Sequence, residues 1–317
     1  IYMEPTITPV DKKLIERELT LDKFVRYTNN GGNLLYVVNY HDSPNIMQEI
    51  GRLREISFRA AGGGTGKSVD IDEFDKAEKN FYHQLIVWDP KNKEILGGYR
   101  YIHAGKCEIE DLATAELFNF SDKFISDYKP STIELGRSFV QPNYQSTRLR
   151  SKGLYALDNL WDGLGALVVK YPDVNYFLGK VTMYGTYDVQ ARDILLYFLR
   201  KHFSDDESLI TPIHPLEIHP DLKMMEELFT GNNYKDDYKI LSKVIRSHGE
   251  NIPPLINSYM NLSPSMKVFG TAINHGFGDV EETGILIKIS DIYADKLERY
   301  VGTIRKMMHR LRWFSKR

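Results

Sequence analysis

The sequence predicts an α/β chain: a mixed central sheet flanked by helices, in a single domain with an inserted helical segment. Three observations carry this. Gln84–Asp89 (QLIVWD) is a continuous apolar run, as a strand covered on both faces requires, and Ile95–Ile102 answers it across a Pro90 turn. Ser43-Pro44 opens a stretch in which Ile46, Ile50, Leu53 and Ile56 share one helical face. Ser131–Val140 has strand composition and is followed by a long helical segment, Gly153–Lys170.

In chain order, residues 1–30 form an N-terminal cover with helical patterns at Lys12–Glu18 and Leu21–Tyr27. Asn33–Asn39 is a first strand, and the helix from Pro44 ends near Arg59 at Gly62-Gly63-Gly64. After an acidic run and the hairpin, residues 108–130 read as a short helix and loop. Asn175–Met183 is a strand and Val189–Phe203 a helix with Ile194, Leu195, Phe198 and Leu199 inward. Residues 204–262 are an inserted segment with helical patterns at 221–229 and 235–248 and a short helix from Pro253-Pro254. Met266–Ile273 and Gly284–Ile289 are a last strand pair, and 291–317 carries a basic C-terminal helix. No internal repeat or low-complexity linker divides the 317 residues, so residues 1–317 form one domain.

Composition excludes several function classes. The net charge of −2 gives no global pull towards nucleic acid, so anion binding must come from local patches. Cys107 is the only cysteine, which rules out an intramolecular disulfide and suits a reducing, cytoplasmic setting. No apolar run reaches the roughly 18 residues that a spanning helix needs. The histidines are scattered, and no metal site is expected.

The most informative stretch is Ser131–Gly153, STIELGRSFVQPNYQSTRLRSKG. Glu134 and Arg137 lie inside an apolar strand, where a charge is costly unless paired or employed, and Gly136 between them marks a candidate bulge. Arg148, Arg150 and Lys152 precede the next helix, where cations and a helix N-terminus make an anion seat. A buried ion pair followed by a solvated basic loop fits the same residues. By contrast, Ala61-Gly-Gly-Gly-Thr-Gly-Lys-Ser68 nearly spells a phosphate loop but follows a helix instead of a strand. It reads as a helix C-cap and a mobile loop that gates substrate.

Several charges and motifs recur in a fixed order: Arg54 and Phe58 one turn apart, Asp72-x-x-Asp75, Gly98-Tyr-Arg100, and Glu134-Leu-Gly-Arg137. This set resembles the signature of acyl-homoserine-lactone synthases. ELGRSFVQPNYQ and IPPLINSYMNL resemble more closely the haemolysin-like GNAT acyltransferases that make ornithine and glycine lipids. IGRLREISFR, GGYRYI and LDNLWDGLGAL resemble the Bacteroides-type glycine lipid N-acyltransferases most of all, over Met3 to about Tyr300. The resemblance implies a GNAT-like fold and an enzyme moving a fatty or 3-hydroxy-fatty acyl group from a thioester to the amine of a small amino acid, glycine favoured, in aminolipid synthesis. It implies no bound cofactor. The pyrophosphate loop is reduced to Gly153 among basic residues, which points to phosphopantetheine on acyl carrier protein as the donor, with coenzyme A as the alternative. Asn274 stands where such enzymes often carry aspartate.

The roles that follow are expectations. Glu134 is the base, Gly136 frees backbone N–H groups for the thioester oxygen, and Arg137 pairs with Glu134 or contacts the donor. Ser138, Phe139, Arg148, Arg150, Lys152 and Gly153 form the donor side. Arg54, Phe58, Asp72, Asp75 and Arg100 form the acceptor side, with Arg100 on the amino acid's carboxylate. Tyr197 and Cys107 are read as packing residues. The partners expected are acyl carrier protein, a small amino acid and, through the basic amphipathic 299–317 segment, the inner face of a membrane. Two other readings are carried: a signal synthase of the homoserine-lactone kind, and a non-catalytic binding protein that keeps the fold.

Overall fold

The structure is a computed structural model describing residues 3–145, 150–218, 221–231 and 233–302, with side chains at 145 and 150–154 set aside. In chain order its elements begin α1 (Lys12–Glu18), β1 (Phe24–Tyr27), β2 (Leu34–Val38), α2 (Pro44–Ala61), α3 (Glu73–Lys76), β3 (His83–Asp89), β4 (Glu94–His103) and β5 (Phe118–Phe120). The chain continues through β6 (Thr132–Val140), α4 (Pro142–Gln145), α5 (Arg150–Lys170), β7 (Tyr176–Met183), α6 (Val189–His202) and β8 (Ile210–Pro212). Then come α7 (Leu222–Leu228), α8 (Tyr234–Ser247), α9 (Pro254–Met260), β9 (Lys267–Asn274), β10 (Val280–Lys288) and α10 (Ala294–Leu297).

Eight strands form one mixed sheet in the order β1-β2-β3-β4-β6-β7-β10-β9, and β5 pairs separately with β8. The pairings are antiparallel except β6–β7, which is parallel and is bridged by the α4–α5 crossover. Because side chains alternate across a strand, the sheet buries two different sets. Leu85, Val87, Tyr99, Tyr101, Ile133 and Leu135 pack with Ala156, Leu160 and Leu164 of α5. Ile86, Trp88 and Phe139 pack with Ile46, Ile50, Leu53 and Phe58 of α2. This double cover explains why QLIVWD is apolar throughout. Gly163 lets α5 close on the sheet: a Cβ there would lie 2.6 Å from Leu85 and 2.7 Å from the Tyr99 hydroxyl.

Most expected elements are present, with differences in detail. Leu21–Tyr27 is not helical. Phe24–Tyr27 is an edge strand hairpinned to β2, because Gly31 and Gly32 both take positive φ and turn the chain back. Residues 108–130 hold short 3₁₀ and π turns around β5 in place of a regular helix. The 204–262 segment shares the main core through Met225, Phe229, Leu241, Ile245 and Met260. The expected C-terminal helix is represented by α10 and a π-helical turn at Glu298–Gly302, its remainder lying outside the described residues. Among the described residues no helix is long and apolar enough to cross a membrane.

Candidate active site

Three arginines, two of them buried, and three aspartates meet between α2 and the sheet. The aspartate spacing has a local cause: Asp72 caps α3, accepting from the Phe74 and Asp75 N–H groups, while Asp75 accepts from the Asp72 N–H, a reciprocal capping box. So held, Asp75 Oδ2 lies 3.0 Å from Arg54 Nη1 and 3.2 Å from Arg100 Nη1, and Asp72 Oδ1 lies 2.6 Å from Arg100 Nη1. Gln84 joins them, accepting from Arg54 and donating to Asp75 Oδ1 (2.8 Å). Arg54 and Asp75 are wholly buried and Arg100 nearly so, an arrangement stable only with matched charges and satisfied hydrogen bonds. Burial opposes ionisation of Asp72 and Asp75, but Arg100 at Asp72, and Arg54 with Arg100 at Asp75, outweigh it and hold both carboxyls below the usual aspartate range.

On β6 the bulge is one residue later than its glycine. The ladder pairs Arg100 with Gly136 and Gly98 with Phe139, so β6 carries an extra residue there, and Arg137 takes φ +50°. The bulge brings Arg137 to the α2 side of the sheet, where it meets other partners: its Nε lies 2.8 Å from Asp70 Oδ2, and its guanidinium stacks 4.2 Å from the Phe277 ring centroid. The Glu134–Arg137 pair expected from the sequence is therefore not formed. Glu134 is buried, accepting at Oε1 from the Thr114 N–H (3.1 Å), with Tyr82 and Lys180 nearby. Burial raises its pKa above the ordinary glutamate value against the pull of Lys180, Tyr82, Arg100 and Thr114.

Glu134 also marks where the sheet divides. The β6–β7 ladder ends at Glu134↔Leu178, and no further ladder pair joins the two strands among the described residues. On the α5 side lies a shallow apolar cleft open to solvent, walled chiefly by Tyr99, Leu135, Ser138, Leu160, Trp161 and Leu255. The bulge is what sets Leu135 and Ser138, three apart, along one wall. Phe139 faces the other way, into the α2 core with Phe58. A second cleft of about 390 Å³ between α6 and β9 shares no lining residue with this region.

The structure thus brings together Arg54, Asp72, Asp75, Arg100 and Arg137 in one network, with Gly136 beside the Arg100 side chain: a Cβ on Gly136 would lie 3.7 Å from Arg100 Nε. Arg150, Lys152 and Gly153 sit in the first turn of α5, while Arg148 lies outside the described residues. Sequence reasoning missed Asp70, Gln84, Thr114, Lys180, Phe277 and Glu282. Polar Gln84, Lys180 and Glu282 within otherwise apolar strands were the available signal. Asn274 donates to Glu282 Oε1 (3.2 Å). Tyr197 stacks on Phe229, and the buried Cys107 thiol is pushed up to about 12 by burial. The glycine-rich loop is not free: Glu55 accepts from the Thr65 and Gly66 N–H groups, Arg59 donates to the Lys67 carbonyl, and a carboxylate occupies the nest a phosphate would use.

The acetyltransferase (GNAT) domain family matches residues 53–152. A glycine N(alpha)-acyltransferase of Phocaeicola vulgatus is 58% identical over 309 residues, covering 96% of this chain and 94% of that protein. One of Bacteroides thetaiotaomicron is 56% identical over 306 residues, covering 95% and 90%. The solved structure of FeeM, an N-acyl amino acid synthase from uncultured soil microbes, is 10% identical and superposes with a TM-score of 0.39 over 82% of this chain and 94% of that one, too loosely to bear on activity. The chain belongs to the glycine N(alpha)-acyltransferase family and is an acyltransferase with a GNAT domain.

Proposed function

We propose that the protein transfers a fatty acyl group, including 3-hydroxy-acyl groups, from a thioester to the amine of glycine, as a step in aminolipid synthesis. The observation that carries the reading is the division of the sheet at Glu134: a buried carboxyl of raised pKa at its floor, and an apolar cleft on one side. The chain enters the cleft. Glu134 takes one proton from the acceptor ammonium, and the neutral amine attacks the thioester carbon. Backbone N–H groups at the Gly136–Arg137 bulge face the developing oxyanion. Arg100 has Nη1 committed to Asp72 and Asp75, so it meets the acceptor's carboxylate along its Nε edge, beside Gly136. Asp72, Asp75, Arg54 and Phe58 hold this wall in place.

Phosphopantetheine on acyl carrier protein is the proposed donor group. Arg148, Arg150 and Lys152 supply charge for its phosphate and for an acidic carrier surface. The experiment is to offer the purified chain glycine with the same acyl group on carrier protein and on coenzyme A, following free thiol and N-acylglycine by mass spectrometry. Efficient transfer from carrier protein supports the reading; equal or better use of the coenzyme A thioester makes coenzyme A the donor. Without N-acylglycine from either donor the proposed reaction falls.

The 299–317 segment, with Ile304, Met307, Leu311 and Trp313 among basic residues, is proposed to touch anionic bilayers reversibly. Co-sedimentation should be greater with anionic than with neutral vesicles and should fall on truncation at Gly302. Equal, negligible pelleting with both would remove the membrane contact.

A further inference from the structure

A set of unspent polar atoms lies on one face of the sheet around Glu134. Glu134 Oε2, Glu282 Oε2, Thr114 Oγ1 and Arg100 Nε are buried without a hydrogen-bond partner among the described residues. They come from β6, β10, the 113–116 turn and β4, so no single local motif explains them. Ladder partners point to the same face of a sheet. The pairs Glu134↔Leu178, Gly284↔Lys180 and Glu282↔Thr182 therefore set Glu134, Lys180 and Glu282 side by side, along the line where β6 leaves β7. Lys180 stands between the two carboxyl groups, with Nζ 3.0 Å from the Ala113 carbonyl and 3.7 Å from Glu282 Oε2. Asn274 takes Glu282 Oε1, which leaves Oε2 facing Lys180 with no hydrogen bond.

We infer that Glu282, positioned by Lys180 and Asn274, is the second carboxylate of the acceptor site and holds the ammonium of the incoming amino acid while Glu134 receives its proton. The inference rests on the acyl-transfer reading above. A primary ammonium has three N–H donors, matched by three unspent acceptors: Glu134 Oε2, Glu282 Oε2 and Thr114 Oγ1. The unspent Arg100 Nε–H is the complementary donor for the acceptor's carboxylate. Two carboxylates near one another repel, and Lys180 offsets that repulsion when the site is empty. During transfer the ammonium gives one proton to Glu134. The C–N bond then forms, the C–S bond breaks, and the second proton leaves nitrogen for the departing thiolate. The products are an amide and a thiol, with Glu134 returning its proton to water. Glu282 exchanges no proton in this step, so it governs where the amine sits and not where its protons go.

The test is steady-state kinetics of the full chain with saturating acyl thioester and varied glycine. Glu282→Gln is expected to raise the glycine KM on the order of tenfold, as loss of a charge-assisted contact does, with the donor KM unchanged and kcat reduced less. Glu282→Asp retains the charge one carbon further back; a smaller rise, about threefold, is expected, and it serves alone should the glutamine variant fail to fold. A glycine KM within twofold of wild type in a folded variant overturns the inference, as does a rise in both substrates' KM together, which marks a structural role. If wild type itself acylates no amino acid, the underlying reading fails; if wild type is active and the variants match it, only the role of Glu282 fails.

Discussion

Arg137 binds Asp70, not Glu134: its Nε sits 2.8 Å from the Asp70 carboxylate, 67 residues away in the chain, although Glu134 lies three residues before it on the same strand. The cause is the bulge at Arg137, which brings it to the α2 side of the sheet, against the 70–75 segment and the Phe277 ring. The pairing frees Glu134 from a direct arginine partner, and burial raises its proton affinity.

Glu134→Gln should therefore remove turnover and leave the fold intact. The expected loss is about 10²–10⁴-fold in kcat, the usual range for a general base. Because burial raises the folded pKa of Glu134, the acid limb of kcat/KM in wild type should lie above the pH at which an ordinary glutamate titrates. The same shift favours the protonated form more in the fold than in the unfolded chain, so wild type loses a little stability as pH rises through that pKa, and the glutamine variant does not. A glutamine variant with unchanged turnover would take the base role from Glu134.

Asp75→Asn should destabilise the protein by about 3–5 kcal/mol, the range for breaking one side of a wholly buried ion pair; Arg54 and Asp75 are both fully buried. Asp72 and Asp75 titrate below the ordinary aspartate value, so their contribution is present above that value and is lost as pH falls towards the folded pKa. Urea unfolding at neutral pH and at pH 3–4 reads both effects. Equal stability of the variant and wild type at neutral pH would show the network to be energetically neutral.

Leu255→Trp, on the wall of the apolar cleft, should shorten the preferred acyl chain by several carbons. Each buried CH₂ is worth about 0.8 kcal/mol, so the longest chains lose the most. A series of acyl thioesters ranked by kcat/KM measures this, and an unchanged chain-length profile would place the acyl group elsewhere.

Replacing Arg148, Arg150 and Lys152 together by alanine should raise KM for acyl carrier protein several-fold and flatten its salt dependence, since charges that steer an encounter act through screened attraction. A short acyl thioester without the carrier should be used as before. Carrier KM values that coincide across ionic strength in both proteins would end the electrostatic role.

Much of the architecture is legible in the sequence because it is local. Gln84–Asp89 declares a doubly covered strand by its unbroken apolarity, Ser43-Pro44 and Gly62 delimit α2, and Asp72-x-x-Asp75 is a capping box whose geometry spans four residues. The presence of Glu134, Arg137 and Arg100 inside strands likewise announces a charged site, since such charges are kept in a core only with partners. What the sequence alone does not contain is the choice of partner. Arg137 and Glu134 look paired in one dimension, yet the bulge sets Arg137 against Asp70, which takes it instead. The glycine-rich 62–66 stretch looks open to a ligand until Glu55, a turn back on α2, fills it. Lys180 and Glu282 read as ordinary strand charges until the ladder sets them on the Glu134 face beside the gap between β6 and β7. These outcomes depend on burial, on a bulge and on strand register, which only the packed chain decides: a short segment fixes its own backbone preference, whereas the proximity of two charges far apart in sequence depends on all the chain between them.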